Sequence, residues 1–434
     1  MLDWKAINKE AVGHFQDLLR VDTTNPPGEE RAAAELIAEA LRRDGIEPTI
    51  LESSPKRANL VARLKGTGEL PPLLLTAHLD VVPAEEGHWT HPPFAGVIEN
   101  GVIYGRGAID MKNMAAMSLM TMLVLKRSAA RLRRDVIFVA CADEEMGSGL
   151  GSLWLVDNHP DLVRAEYGLN ECGGFTSHFS GVRFYPVQVA EKGFCWTTLR
   201  CTGDPGHGSM PHGNNAVVKL ARAVERLGEV QFPMHPVAEV EAFIRGMAEH
   251  LGFPTSAALR LMLDPRFNRF VVERLIPEDL RGAFRANFRN TVSPTVLRAG
   301  SKTNVIPSSA EAKVDGRVLP GQDRESFLAE MREIVGPDVE FHVDNYGPPT
   351  VFSAETPLME KIFEVLRRHD TAAVPVPFMI SGFTDAKAYA KLGTIVYGFN
   401  PIMMPKDLSF TKLFHGHDER CTVEGFEFGL RCLY

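Results

Sequence analysis

Leu73-Leu74-Leu75-Thr76-Ala77-His78-Leu79-Asp80 is the stretch from which the rest of the chain is read. Residues 73–77 read as a buried strand, and the strand delivers His78 and Asp80 at its carboxyl end. On an extended chain, residues two apart project to the same side. Neutral imidazole is a good ligand for a transition metal, and a nearby carboxylate can fix its tautomer. Taken alone, a strand-end histidine is more often structural. Three further strand-like segments end in acids, however, and a metal site results if those ends converge.

Working outward, helices are expected at 4–20 and 29–44, separated by the turn Thr23-Thr24-Asn25-Pro26-Pro27-Gly28. Strand-like runs at 48–52, 59–64, 73–77 and 136–141 alternate with helical segments at 111–127 and 149–158. That alternation predicts an α/β fold, a mixed sheet with helices on both faces, with ligands at the carboxyl ends of its strands. The pattern changes near Glu191-Lys192-Gly193. Strands at 194–202, 292–300, 309–318 and 338–344, with helices at 215–228 and 323–335, predict a small α+β (ferredoxin-like) domain. Extra helices are expected within 233–290. After Pro348-Pro349 the α/β pattern resumes, so the smaller domain is inserted: 1–192 and 350–434 form the larger domain, and 193–349 the insert.

The chain has 434 residues, is 44% hydrophobic and 24% charged, and has a net charge of -8. Two soluble domains are the default at this length, and the charge argues against a nucleic-acid-binding surface. The longest nearly apolar stretch, Met114 to Leu125, is too short to span a bilayer. No apolar leader opens the sequence. The six cysteines form no CxxC or finger spacing, which reads as reduced thiols in the cytoplasm.

The acids fall in four further places. Tyr104-Gly105-Arg106-Gly107-Ala108-Ile109 leads tightly into Asp110 at a helix start, where it could be a cap or bridge two cations. A buried strand at 136–141 delivers Asp143-Glu144-Glu145. Neighbours on an extended chain point to opposite sides, so one glutamate can bind metal while the other faces substrate as a general base. A short strand at 167–170 ends in Glu171, and Phe414-His415-Gly416-His417-Asp418-Glu419 lies near the end of the chain. Two histidines with three carboxylates suit a pair of zinc ions with an open water position. An all-carboxylate site would suit magnesium or manganese better.

The ordered set HLD (78–80), GRGAIDMK (105–112), DEEMGS (143–148), NECGG (170–174) and HGHDE (415–419) resembles the dinuclear zinc amidohydrolase family of aminoacylase, acetylornithine deacetylase, succinyl-diaminopimelate desuccinylase and carboxypeptidase G. The resemblance covers nearly the whole chain. It implies that His78 and Glu171 bind one zinc and Glu145 and His415 the other, with Asp110 bridging. Cobalt or manganese are possible substitutes. Asp80 would orient His78, and Glu144 would be the general base. His415 is preferred over His417 because the family histidine precedes its acidic neighbour by four residues, as His415 precedes Glu419. The family also has a cis peptide after the bridging aspartate, here Asp110-Met111.

In the insert, Gly206-His207-Gly208-Ser209 resembles the loop whose histidine contacts the reacting carbonyl oxygen, often across a dimer. Asn304 and Arg317 resemble the family's substrate-carboxylate region, with a surface ion pair as the alternative for Arg317. The loop Ser381-Gly382-Phe383-Thr384-Asp385 resembles the one lining the pocket, with Gly382 supplying backbone. The 233–290 stretch resembles the lid insert of the carboxypeptidase S and N-fatty-acyl-amino-acid hydrolase branch. These resemblances imply hydrolysis of an N-acyl-amino acid or a C-terminal peptide bond, in a small-molecule or short-peptide substrate with a free carboxylate. The alternatives are a dipeptidase or aminopeptidase on the same metals, or a dead binding protein. A homodimer through the insert is possible, and no nucleic-acid or membrane partner is expected.

Overall fold

The computed structural model describes residues 2–408 and 410–434, and for Asp279 and Thr411 the backbone alone. The chain divides into two compact units. Unit 1 comprises Met1–Val189, Phe352–Phe378 and Thr384–Tyr434; unit 2 comprises Ala190–Val351 and Met379–Phe383.

Unit 1 is built on a mixed sheet whose main strands are β1 Thr49–Ser54, β2 Arg57–Leu64, β3 Leu73–His78, β4 Val136–Cys141, β5 Tyr167–Asn170, β6 Val182–Glu191 and β7 Ile395–Gly398. They lie in the order β1-β2-β4-β3-β5-β7-β6. The four inner strands run parallel, β4 with β3, β3 with β5 and β5 with β7. The outer ones are antiparallel to their neighbours. Burial on both faces explains the apolar runs of β3 and β4. Register sets His78 opposite Cys141 and Asn170 opposite Gly398. The carboxyl ends of the parallel strands therefore form one edge, where sheets of this type present their ligands.

Helix Lys112–Arg127 packs on β3 and β4 and against the helices Trp4–Leu19 and Val423–Leu433. Its residues 112–124 are all buried, as a helix surrounded by other elements requires. It begins at Lys112, two residues after Asp110, so the buried helix anchors the backbone that carries that carboxylate. No helix among the described residues is long and apolar enough to cross a membrane.

In unit 2 the strands Gly193–Thr202, Thr291–Ala299, Ser309–Val318 and Glu340–Gly347 form an antiparallel sheet. Numbered by chain position they lie in the order 2-3-1-4, the ferredoxin-like arrangement. Leu220, Phe327 and Met331 from its two helices close the core over Leu199, Ala312 and Val314. The 233–290 stretch forms four helices, Ala238–Glu249, Thr255–Met262, Pro265–Arg274 and Glu278–Asn287.

Met379–Phe383 clusters with unit 2, whereas the sequence division placed all of 350–434 in the larger domain. The reason is aromatic. The Phe383 ring lies 4.9 Å from Phe194 and 6.4 Å from Trp196, and Ile380 O accepts the Lys192 N–H. Gly382 goes with this segment.

Candidate metal centre

Two groups of side chains in unit 1 could each hold a cation, and they share Asp110. They are His78, Asp110 and Glu171, and Asp110, Glu145 and His415, with ligand atoms within 4.8 Å of one another in each group. His78 Nε2 lies 3.1 Å from Asp110 Oδ1 and 3.6 Å from Glu171 Oε2. His415 Nε2 lies 3.2 Å from Asp110 Oδ2 and 3.3 Å from Glu145 Oε2. The two oxygens of one carboxylate thus face two imidazoles, the geometry of a bridging ligand. His417 stands apart and pairs with Glu85 at 3.2 Å.

His78, Asp110 and the turn that carries Glu144 and Glu145 are held from behind. His78 is fully buried, and its Nδ1–H donates to Asp80 O at 2.9 Å, which leaves Nε2, once it gives up its proton, as the atom that could bind a cation. The Asp80 carboxylate is farther from that ring, 3.5 Å from Nδ1. Its Oδ1 accepts the Glu144 N–H at 3.1 Å and its Oδ2 the Glu145 N–H at 3.2 Å, with Asn25 Nδ2 at 2.8 Å. Asp80 therefore orients His78 through its backbone carbonyl, while its carboxylate fixes the acidic turn.

That turn is strained and braced. Asp143 sits at φ 68°, a left-handed conformation that a non-glycine residue holds only under restraint. Arg57 supplies part of it, donating to Asp143 Oδ1 at 2.9 Å while pairing twice with buried Glu30 at 2.7 Å. Asp110 is fixed by Glu419. Its Oε1 accepts the N–H groups of Ile109 and Asp110 at 2.8 and 3.1 Å. Its Oε2 accepts Gly107 N–H at 3.1 Å and Arg106 Nη1 at 2.7 Å. The peptide bond between Asp110 and Met111 is cis, as the motif implied.

Asn25, Glu30, Arg57 and Arg106 went unread in the sequence, and Glu419 served only as a spacing mark. Arg106 and Glu419 do sit inside motifs already singled out. Asn25, Glu30 and Arg57 meet the site only through the fold, and no local pattern announces them.

The electrostatics favour cations. Burial and the charges of its neighbours, Glu171 foremost, push Glu144 well above the usual carboxylate range. Burial and the Asp110 charge carry Glu145 up to about 7. Asp110 resists its burial and is held low by hydrogen bonds from His415 and His78. Burial pulls His415 down, but Asp110 and Glu145 outweigh it and raise it to about 10. Without cations, this cluster keeps protons to limit its own repulsion. Glu144 Oε1 and Glu145 Oε1 are buried and accept no hydrogen bond, a costly state. Two imidazoles, three carboxylates and unpartnered buried oxygens fit two divalent ions.

The remaining sequence candidates lie in unit 2. His207 is exposed, paired in a short ladder with Val305. Its Nδ1 accepts from Ser209 N–H at 3.2 Å and lies 2.7 Å from Ser209 Oγ. The proton of the neutral ring is therefore on Nε2. Asn304 is also exposed, and its carbonyl accepts Gly208 N–H at 2.9 Å. Arg317 forms the ion pair that was the alternative reading. Its Nε and Nη2 donate to Asp315 Oδ2 at 3.1 and 2.9 Å, and its guanidinium lies 5.0 Å from the centre of the Phe383 ring. Gly382 faces open space.

The chain is 30% identical over 380 residues to the human N-fatty-acyl-amino acid synthase/hydrolase PM20D1, covering 84% of this chain and 73% of that protein. It is 28% identical over 391 residues to the probable carboxypeptidase S-like 2 of Dictyostelium discoideum, covering 85% and 72%. In fold it is similar to the M20 family metallo-carboxypeptidase Sso-CP2 from Sulfolobus solfataricus, with a TM-score of 0.74 at 18% identity over 98% and 97% of the two chains. The sequence profile of Peptidase family M20/M25/M40 matches residues 74–434, a span that contains every ligand of the candidate centre, and the chain belongs to that family of hydrolases.

Proposed function

We propose that the protein hydrolyses the amide bond of N-acyl-amino acids, or a C-terminal peptide bond, in substrates with a free carboxylate, using two zinc ions. The observation that carries this reading is the sharing of Asp110 between two ligand groups beside Glu144. Bound cations of this kind supply Lewis acidity to the attacking water and the scissile carbonyl. His78 and Glu171 would hold one and Glu145 and His415 the other, with Asp110 between them. Zinc is favoured because imidazole and carboxylate ligands are mixed.

Glu144 takes the proton of the attacking water and hands it to the leaving amine. Its raised affinity for a proton, from burial and the nearby Glu171 charge, suits a base that must also give the proton back. His207, with its proton on Nε2, donates to the developing oxyanion. Arg317 and Asn304 take the substrate carboxylate, with Asp315 and Phe383 fixing the guanidinium plane and Gly382 giving the pocket room. The likeness to relatives named for N-fatty-acyl-amino acids and carboxypeptidase S points to apolar acyl groups or side chains. We assign cytoplasmic residence from six unpaired cysteines, and a homodimer through the insert, which light scattering tests.

The assay is a panel of N-acyl-amino acids and C-terminally cleaved dipeptides, with amine-free and amine-blocked pairs, run with added zinc, manganese or cobalt. Turnover of blocked substrates carrying a free carboxylate is expected. Cleavage confined to substrates with a free amine would make the protein an aminopeptidase or dipeptidase instead.

A further inference from the structure

The helices Pro265–Arg274 and Glu278–Asn287 of unit 2 contribute most of the wall of an open cavity of about 830 Å³. Its lining includes Arg266, Arg269, Arg274, Arg281 and Arg285, with Glu273 the only acid among the described residues that line it. Two of these arginines are compensated. Arg266 forks onto Asp264, at 3.0 and 2.6 Å, and Arg285 Nη2 meets Glu273 at 2.6 Å. Arg269, Arg274 and Arg281 have no carboxylate partner among the described residues; Arg281 donates only to the Ile276 carbonyl, at 3.0 Å. Arg285 Nε is buried with no partner. Behind the wall sits buried Arg289, bonded to Asn268 Oδ1 at 2.8 Å. Burial and the like charges of Arg285 and Arg269 lower its affinity for its own proton.

So much like charge in one concavity is unfavourable until an anion enters, and a concave wall focuses the field on whatever does. Guanidinium forks match phosphate oxygens two at a time. The volume is that of a small-molecule site, well above a single phosphate. Part of the lining is the Phe270 ring, 58% exposed, which offers a flat apolar surface to a ligand. We infer that this cavity binds a small organic anion carrying two or more phosphate-type charges on a flat apolar body, as a nucleoside bisphosphate does. None of its residues is among those assigned to the hydrolytic reaction.

The test uses the full-length protein with its metals bound, and a fluorescent adenosine bisphosphate followed by anisotropy at physiological ionic strength. Saturable binding is expected, displaced by unlabelled bisphosphate and not by adenosine. The exposed pair Arg269→Ser/Arg274→Ser should weaken it about tenfold or more, since each fork contributes a charge-assisted bidentate contact. Arg298→Ser, an exposed arginine on the strand Thr291–Ala299, should leave it unchanged. Both variants should keep hydrolytic activity, which reports that they fold. The inference is overturned by an absence of saturable binding, by equal binding in the double variant, or by retention on phosphatidylglycerol vesicles without any nucleotide binding.

Discussion

Asp110 ties the two candidate cation positions together, and its neighbours show what that requires of single residues. His415 is raised to about 10 and Glu145 to about 7 in the cation-free cluster, so at neutral pH His415 holds a proton and Glu145 about half of one. Ligation needs both deprotonated. Burial pulls His78 down, but the Glu171 charge and hydrogen bonds to Asp110 and Asp80 raise it well above the usual imidazole range, so it too holds a proton. Metal binding should therefore release two to three protons per chain near about pH 7, and affinity should rise with pH up to about 10. Calorimetry in buffers of different ionisation enthalpy measures the release; buffer-independent heats would contradict it. Glu419 is a second pressure point. Both it and Arg106 are buried, so Glu419→Ala strands a guanidinium and frees three N–H groups around Asp110. A loss of about 3–5 kcal/mol is expected in denaturant unfolding. At Arg317, replacement by Met should raise KM for N-acyl-amino acids about tenfold or more with kcat much less affected, the mark of lost ground-state binding. Equal losses in kcat and kcat/KM would give the residue a different role. The five candidate ligands stood out in the sequence because each follows a strand or sits in a dense motif, and the fold gathers them into two groups that could hold cations. The Arg57–Glu30–Asp143–Asn25 bracing did not, because its hydrogen-bonded partners lie 27 to 118 residues apart and meet only through the fold.

At the scale of elements, β2 and the loop after it meet the start of β4 at Asp135. Burial raises that carboxyl, but the Gly66 N–H at 2.9 Å, with Lys65 at 2.9 Å and Arg63 at 3.0 Å, outweighs it and holds it at about 2. An unfolded aspartate titrates near about 3.9. The stabilisation is thus fully present above about pH 4 and is lost as pH falls through about 2. Asp135→Asn should lose about 1 kcal/mol at neutral pH and show a flatter acid limb in pH-dependent unfolding. An unchanged limb would remove Asp135 from the account. Elements with long buried runs were legible to within a few residues, β3 and Lys112–Arg127 among them. The strand Ala373–Ile380, which pairs with β6, was not. Pro375 and Pro377 interrupt it, and prolines demote a strand read from sequence to edge or loop.

For the whole molecule, unit 2 opens at Ala190, beside the shift in pattern near residue 191, and the ferredoxin-like strand order agrees with the succession of strands and helices. The allegiance of Met379–Phe383 to unit 2 was not readable, because it rests on ring contacts with Phe194 and Trp196 far away in sequence. The fold brings into one place residues from 78 to 415 that share no local motif, and its chemistry depends on that convergence. The central claim is a two-cation centre served by Glu144 as base. It is tested most directly by measuring metal content per chain and turnover of an N-acyl-amino acid in parallel for the natural protein and Glu144→Gln. The account predicts about two divalent ions in both proteins, with turnover falling by a factor of about 100 or more in the variant alone and with chelator abolishing activity in the natural protein. Near-normal turnover in the variant, or hydrolysis by a metal-free chain, would contradict it.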